Sequence, residues 1–189
     1  MKSFKLFFEQ EEDSVAILPG GFKPPHSGHF DVLKASLKKA KKGIVFIGKK
    51  PRGVVTADMS AYIWQIYSRY LSKPIEIKVV DNPLSSTFKY VDDHMDTKII
   101  LGVGKKPGKE GKPDDVNRYN YFVKNKDKYP LVEIFIKEST DKDNKPMSGS
   151  IAEVLIRQDI DKALDYFLPE EVKSNINDRA QIKNILKYK

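Results

Sequence analysis

Val15-Ala16-Ile17-Leu18, followed by Gly20-Gly21-Phe22-Lys23-Pro24-Pro25-His26-Ser27-Gly28-His29-Phe30, is the stretch from which the fold can be read. The first four residues are apolar, and their composition suits a buried strand. Two glycines then let the backbone turn tightly and approach a ligand without a side-chain clash. Pro24 and Pro25 stiffen the loop. Phe30, Leu33 and Leu37 recur at helical spacing and predict a helix from Gly28 to Ala40. The expected order is strand, glycine turn, two histidines, helix. Imidazoles and backbone N–H groups then gather at a helix N-terminus, which suits the phosphates of a nucleoside triphosphate.

Outward from this segment, strands alternate with helices. Gly43–Gly48, Ile75–Val80, Lys98–Gly104 and Leu131–Ile136 read as further strands. Thr56 is placed to cap a helix running to about Leu71. A turn and short helix are predicted over Asn82–Met95, and a helix over Asp114–Lys126. The chain from Ser150 to Lys189 reads as helical, broken at Pro169. Alternation of this kind predicts an α/β fold, a doubly wound, mostly parallel five-stranded sheet of Rossmann-like type. Ligands of such sheets sit at the carboxyl ends of strands, where strand order reverses. Three glycine-bearing segments, 20–21, 102–104 and 148–150, fall at those ends. Three parts are expected: an amphipathic N-terminal segment over 1–13, an α/β domain over 14–168 and a helical tail over 169–189. Phe4, Phe7 and Phe8 share one face of the first part, which reads either as a helix packed on the domain or as a docking peptide for a partner.

The chain has 189 residues, a formal net charge of +8 and no cysteine. The charge favours polyanionic partners. Nucleic acid is not expected, because aromatics are not interleaved with the basic runs; Lys38, Lys39, Lys41 and Lys42 read as a solvated face. Without cysteine, disulfides, thiolate metal sites and cysteine nucleophiles are excluded. No apolar run is long enough to span a bilayer, and Met1–Asp13 lacks the pattern of a secretory signal, so a cytoplasmic location is expected. Homo-oligomerisation is left open.

His26 and His29, three apart at a helix start, are placed to face one ligand. Hydrogen-bond donors of this kind help most as charge moves onto a leaving pyrophosphate. Gly28 leaves room for a phosphate against the helix end. No carboxylate or third histidine lies close in sequence, so no protein metal site is expected. Magnesium is expected only with the triphosphate, bridging its oxygens. Arg52, in the turn Gly48-Lys49-Lys50-Pro51-Arg52-Gly53, is a candidate for binding the phosphate of an acceptor. Trp64 is a candidate for stacking on an acceptor ring, against a core position at helical spacing. Gly102 and Gly104 are expected near the ribose or adenine, and Asp114 and Arg118 near the nucleotide.

The run Gly21-Phe22-Lys23-Pro24-Pro25-His26-Ser27-Gly28-His29 resembles the phosphate-binding signature of the nucleotidyltransferase superfamily that carries a His-x-Gly-His motif. That group includes nicotinamide-mononucleotide and phosphopantetheine adenylyltransferases and several cytidylyltransferases. Met147-Ser148-Gly149-Ser150 is similar to its second signature, which opens a late helix and holds the β- and γ-phosphates. In length and general arrangement the chain looks most like small members encoded by tailed bacteriophages. The resemblance implies transfer of a nucleoside monophosphate from ATP or CTP to a small phosphate-bearing acceptor, with release of pyrophosphate. Nicotinamide mononucleotide is the preferred acceptor. A cytidylyltransferase acting on a phospho-alcohol or phospho-sugar is the alternative, as is a nucleotide-binding protein with weak or no turnover. It further implies His26 and His29 as catalytic residues, and Gly21, Phe22, Gly28, Ser148, Gly149 and Ser150 as nucleotide contacts; from the residues themselves, Lys23 is expected to join the catalytic set by neutralising charge at the phosphate site, and Gly20, in the glycine turn, to lie against the nucleotide. Two positions depart from the pattern. Many members carry arginine where this chain has Glu153, with Arg157 one turn later able to supply the charge. Lys23 stands where Asp, Asn or Gln is common.

Overall fold

The computed structural model describes residues 13–50, 53–105, 117–138 and 147–187. Five parallel strands form one sheet in the order β3-β2-β1-β4-β5. They are β1 Ser14–Gly20, β2 Lys42–Gly48, β3 Ile75–Val80, β4 Lys98–Lys105 and β5 Val132–Glu138. The chain runs outward from β1 to β2 and β3, then returns to β4 on the other side of β1. The reversal therefore lies between β1 and β4, the crevice position at which open α/β sheets bind ligands.

Burial explains the strand sequences. β1, β2 and β4 are covered on both faces and are almost continuously apolar. β3 and β5 lie at the edges, where Glu76, Lys78, Glu133 and Lys137 interrupt the apolar residues. Alternation divides the core between the two faces. Ala16, Leu18, Val45, Ile47 and Ile100 meet Phe30, Leu33, Trp64 and Leu164 on one side. Val15, Ile17, Ile44, Phe46 and Leu101 meet Val91, Phe122 and Tyr129 on the other.

The helices are α1 Ser27–Ser36, α2 Ala57–Ser68, α3 Pro83–Asp93, α4 Asn120–Lys124, α5 Gly149–Gln158, α6 Ile160–Phe167, α7 Glu170–Lys173 and α8 Ile176–Lys187. Thr56 caps α2 as expected, its hydroxyl accepting from the Met59 N–H at 3.1 Å. Asn82 caps α3 by accepting from Leu84 and Ser85, and Pro83 stands at its first turn. Helix lengths differ from the expectation in two places. Within the described part of 114–126 there is only a 3-10 turn, Asn117–Tyr119, and the five-residue α4. The tail is broken three times, at Asp159, Pro169 and Asn175. The Asp159 and Asn175 carboxylate and amide oxygens accept from the N–H groups of the following turns.

The tail joins the main core. Val172, Ile182 and Leu186 belong to the same cluster as α1 and α2. Asp178 of α8, only 5% exposed, accepts from Tyr70 at 2.6 Å and pairs with Arg69 at the end of α2. Among the described residues, no helix is long and apolar enough to cross a membrane.

Candidate functional site

The loop after β1 is held from three sides. Phe22 takes φ +44°, a left-handed conformation costing about 1–2 kcal/mol in a residue with a side chain. The expectation that glycine carries this turn is corrected: the positive φ falls on Phe22, and neither Gly20 nor Gly21 has one. Two hydrogen bonds and one burial hold it there. The Ser60 hydroxyl donates to the Phe22 carbonyl, the Tyr67 hydroxyl donates to the Pro25 carbonyl at 3.2 Å, and the Phe22 ring is buried. Burial pushes the Tyr67 hydroxyl well above its ordinary pKa, so it stays a donor. Gly20 is required for another reason: a β-carbon there would lie 2.7 Å from the Phe22 ring.

His26 is the N-cap of α1 and its backbone N–H donates to His29 Nδ1 at 3.2 Å. His29 thus reaches back across the first turn as a capping-box residue does. With Nδ1 accepting, the neutral ring carries its proton on Nε2. The two imidazoles are stacked, centroids 3.5 Å apart, and the edge of Phe22 meets His29 at 4.8 Å. The expectation that both rings face a ligand is corrected. His29 is half-buried, whereas His26 is 0% exposed and lies sealed beneath it.

The second glycine segment meets this loop. Met147 is buried in the same core cluster as Phe22. Ser148 is the N-cap of α5, and its N–H donates to the Tyr166 hydroxyl of α6 at 3.2 Å. Gly149 begins α5, and a β-carbon there would lie 3.5 Å from the Lys23 carbonyl. The histidine loop and the start of α5, far apart in the chain, are therefore in contact. Ser150 is exposed on the first turn of α5.

Beside this junction a cleft of about 370 Å³ opens at the carboxyl ends of the strands. Its wall takes Gly20, Gly21 and Lys23 from the end of β1, Gly48 and Lys50 from β2, Asp81, Asn82 and Pro83 from β3, and Arg118 and Tyr119 beyond β4. Lys23 is almost buried, and its ammonium donates to the Lys50 carbonyl, joining two walls of the cleft. Lys50, Asp81, Asn82 and Tyr119 were not among the sequence candidates. The Asn-Pro pair directly after a strand is a readable signal for a capped helix at the ligand edge. Nothing in the local sequence marks Tyr166 or Ser60, and helical spacing marks Tyr67 only as a core position.

Several candidates fall elsewhere. Trp64 is 0% exposed, edge-on to Phe22 and to Tyr67 with centroids 5.5 Å away in each case. The expected stacking on an acceptor is corrected: Trp64 supports the loop from inside the core. Gly102 lies inside β4 under α1, where a β-carbon would stand 3.0 Å from Ser36 Oγ and 3.1 Å from Val32 Cγ1. Its place near the ribose or adenine is likewise corrected, because helix–sheet packing occupies that space. Gly102→Ala is expected to cost about 1–2 kcal/mol through overpacking, with unchanged nucleotide affinity by calorimetry. Gly104 is half-buried at the end of β4. Arg157 is exposed and pairs with Glu153 at 3.2 Å. Arg52, Asp114 and the phenylalanines of the N-terminal segment lie outside the described residues. Among the described residues, no group of three His, Asp or Glu side chains is placed to hold a metal ion.

No family model matches the chain. Over 66 residues it is 32% identical to the phosphopantetheine adenylyltransferase of Aquifex aeolicus (strain VF5). That stretch is 34% of this chain and 41% of the relative, so the chain spans less than half of the curated protein it matches. Among solved structures, a nicotinic acid mononucleotide adenylyltransferase of Plasmodium falciparum complexed with APC superposes with a TM-score of 0.56. Identity is 15%, over 94% of this chain and 98% of that one. A bifunctional NMN adenylyltransferase/ADP ribose pyrophosphatase of Francisella tularensis, complexed with AMP and a manganese ion, gives 0.53 at 14% identity. The match covers 79% of this chain and 42% of that one. The reversal of the sheet beside β1, with the histidine loop and the start of α5 closing on it, is thus set in the fold of the solved mononucleotide adenylyltransferases.

Proposed function

We propose that this protein is a nucleotidyltransferase of the adenylyltransferase kind. An acceptor phosphate oxygen attacks the α-phosphorus of ATP, the bond to the bridging oxygen of the β-phosphate breaks, and pyrophosphate leaves with that electron pair. The observation that carries this reading is the contact between the histidine loop and the start of α5 beside an open cleft. The reaction needs positioning and charge stabilisation and no covalent intermediate.

In this reading His29, with its proton on Nε2, donates to the triphosphate and the transition state, and His26 holds His29 in place from below. Lys23 supplies positive charge where the loop meets the cleft. Ser148, Gly149 and Ser150 present the N-terminus of a ten-residue helix to the outer phosphates. On the cleft wall, Lys50 holds the phosphate of the acceptor and Arg118 meets the nucleotide. A magnesium ion would come in on the triphosphate, held by its oxygens and water, and would neutralise part of its charge. Nicotinamide or nicotinic acid mononucleotide is the preferred acceptor; similarity of fold to enzymes named for those substrates supports it. Phosphopantetheine is the nearest competitor on the strength of the local sequence match.

The test is pyrophosphate release with magnesium, ATP or CTP, and a panel of acceptors. The panel holds nicotinamide mononucleotide, nicotinic acid mononucleotide, phosphopantetheine, phosphocholine and glycerol 3-phosphate. Release with ATP and a mononucleotide is expected. Turnover only with CTP and a phospho-alcohol would identify a cytidylyltransferase, and nucleotide binding without any turnover would mark a binding protein on the same fold.

A further inference from the structure

The wall of the cleft changes character across the sheet. From β1 and β2 it takes Lys23 and Lys50, and from β3 it takes Asp81 and Asn82. A phosphate belongs at the first end, beside the histidine loop. The second end meets the part of an acceptor that points away from its phosphate, and its two polar side chains differ in kind. The Asp81 carboxylate accepts hydrogen bonds. Its side chain is 93% exposed and its pairing with Lys49, at 3.8 Å, is a solvent-screened surface contact of little strength, so the carboxylate stays open to a ligand. Asn82 is oriented by its cap. Its Oδ1 accepts from the Leu84 and Ser85 N–H groups at 3.0 and 3.2 Å. Both lone pairs of that oxygen are engaged by α3, and the NH2 is what Asn82 presents to a ligand.

The first turn of α3 adds no donor for an anion. Pro83 has no N–H, Leu84 and Ser85 give theirs to Asn82 Oδ1, and the Ser86 N–H donates to the Asn82 carbonyl at 3.0 Å. An acceptor and a donor on adjacent residues match a carboxamide, whose NH2 donates to Asp81 and whose oxygen accepts from Asn82. A carboxylate in the same place would face the Asp81 charge and exchange its water for a single donor. Pro83 and Leu84 give the same wall an apolar surface, which suits the ring that bears such a group. Resting on the functional reading above, we propose that Asp81 is a specificity-determining residue: with Asn82 it reads an amide at the end of the acceptor remote from the phosphate, and it rejects the corresponding acid. Of the two mononucleotides named above, this selects nicotinamide mononucleotide.

The test uses nicotinamide and nicotinic acid mononucleotide as a matched pair, since they differ only in amide against acid. In the first arm, binding of each is measured by calorimetry with α,β-methylene-ATP and magnesium present. The parent binds the amide about tenfold or more tightly than the acid. Asp81→Asn, which removes the charge and keeps the shape, brings the two within about twofold. Affinity for α,β-methylene-ATP moves less than about twofold, and the melting temperature is unchanged because the side chain is exposed. In the second arm, kcat/KM with ATP is measured for the same pair, and the ratio narrows in the same way. Equal affinity of the parent for amide and acid overturns the proposal, as does a preference that survives Asp81→Asn, or binding of neither mononucleotide. An equal loss for both in Asp81→Asn would make Asp81 a contact to their shared ribose or phosphate, and would overturn its part in selection. A parent that binds the amide selectively but releases no pyrophosphate with any acceptor would refute the functional reading and leave the selection by Asp81 standing.

Discussion

Replacing His29 with alanine is expected to lower turnover about a hundredfold or more, the scale seen when one preorganised transition-state donor is removed. The same change should leave the protein folded. His29 is half-buried and contributes an edge contact with Phe22 and a stack on His26. Losing these, with the Nδ1 cap on the His26 N–H, costs about 1 kcal/mol, or roughly 2–4 °C of melting temperature for a chain of this size. Pyrophosphate release at saturating substrate and a thermal melt measure the two effects. His29→Gln separates them, because glutamine at this helix position also reaches the cap: stability returns while the imidazole donor stays lost. Unchanged turnover in the alanine variant would remove His29 from the mechanism.

Trp64→Ala is expected to be the most destabilising single change at the site, although no substrate need touch the residue. Truncating a fully buried tryptophan costs about 3–5 kcal/mol, which lowers the melting temperature by roughly 6–20 °C. The ring lies between Phe22 and Tyr67, the residues that hold the strained turn and the Pro25 carbonyl, so activity should fall with stability. Trp64→Phe is the sharper test. Among the described residues the indole Nε1 is buried without a hydrogen-bond partner. Phenylalanine removes that unsatisfied donor, which offsets part of the lost volume. A phenylalanine variant with a near-parental acceptor KM confirms a core role. A large rise in that KM without a change in melting would return Trp64 to the acceptor.

The fold was legible because two periodicities dominate the chain. Apolar runs at 15–18, 43–48 and 99–103 have no polar interruption, as strands buried on both faces require, and amphipathic helices separate them. Polar caps such as Thr56 announce themselves through residue type. Asp159 and Asn175 carry the same signal, but here they interrupt an otherwise helical pattern and are easily read as part of it.

The histidine segment and the Met147–Ser150 segment were recognisable as local chemistry, because glycine, histidine and serine at a helix start suit an anion whatever surrounds them. Their meeting was not local: strand order brings Gly149 to the Lys23 carbonyl. The same holds for each revised role. Gly102 faces α1 because β4 lies beside β1, His26 is sealed because His29 folds back over it, and Trp64 is covered because α2 packs against the loop. Glu153 is opposite Gly53 for no reason its neighbours in sequence reveal. Residue type and periodicity act over a few bonds and suffice for strands, helices and turn chemistry. Which side chain is exposed, and which charge is balanced, depends on surfaces that exist only after the sheet has assembled.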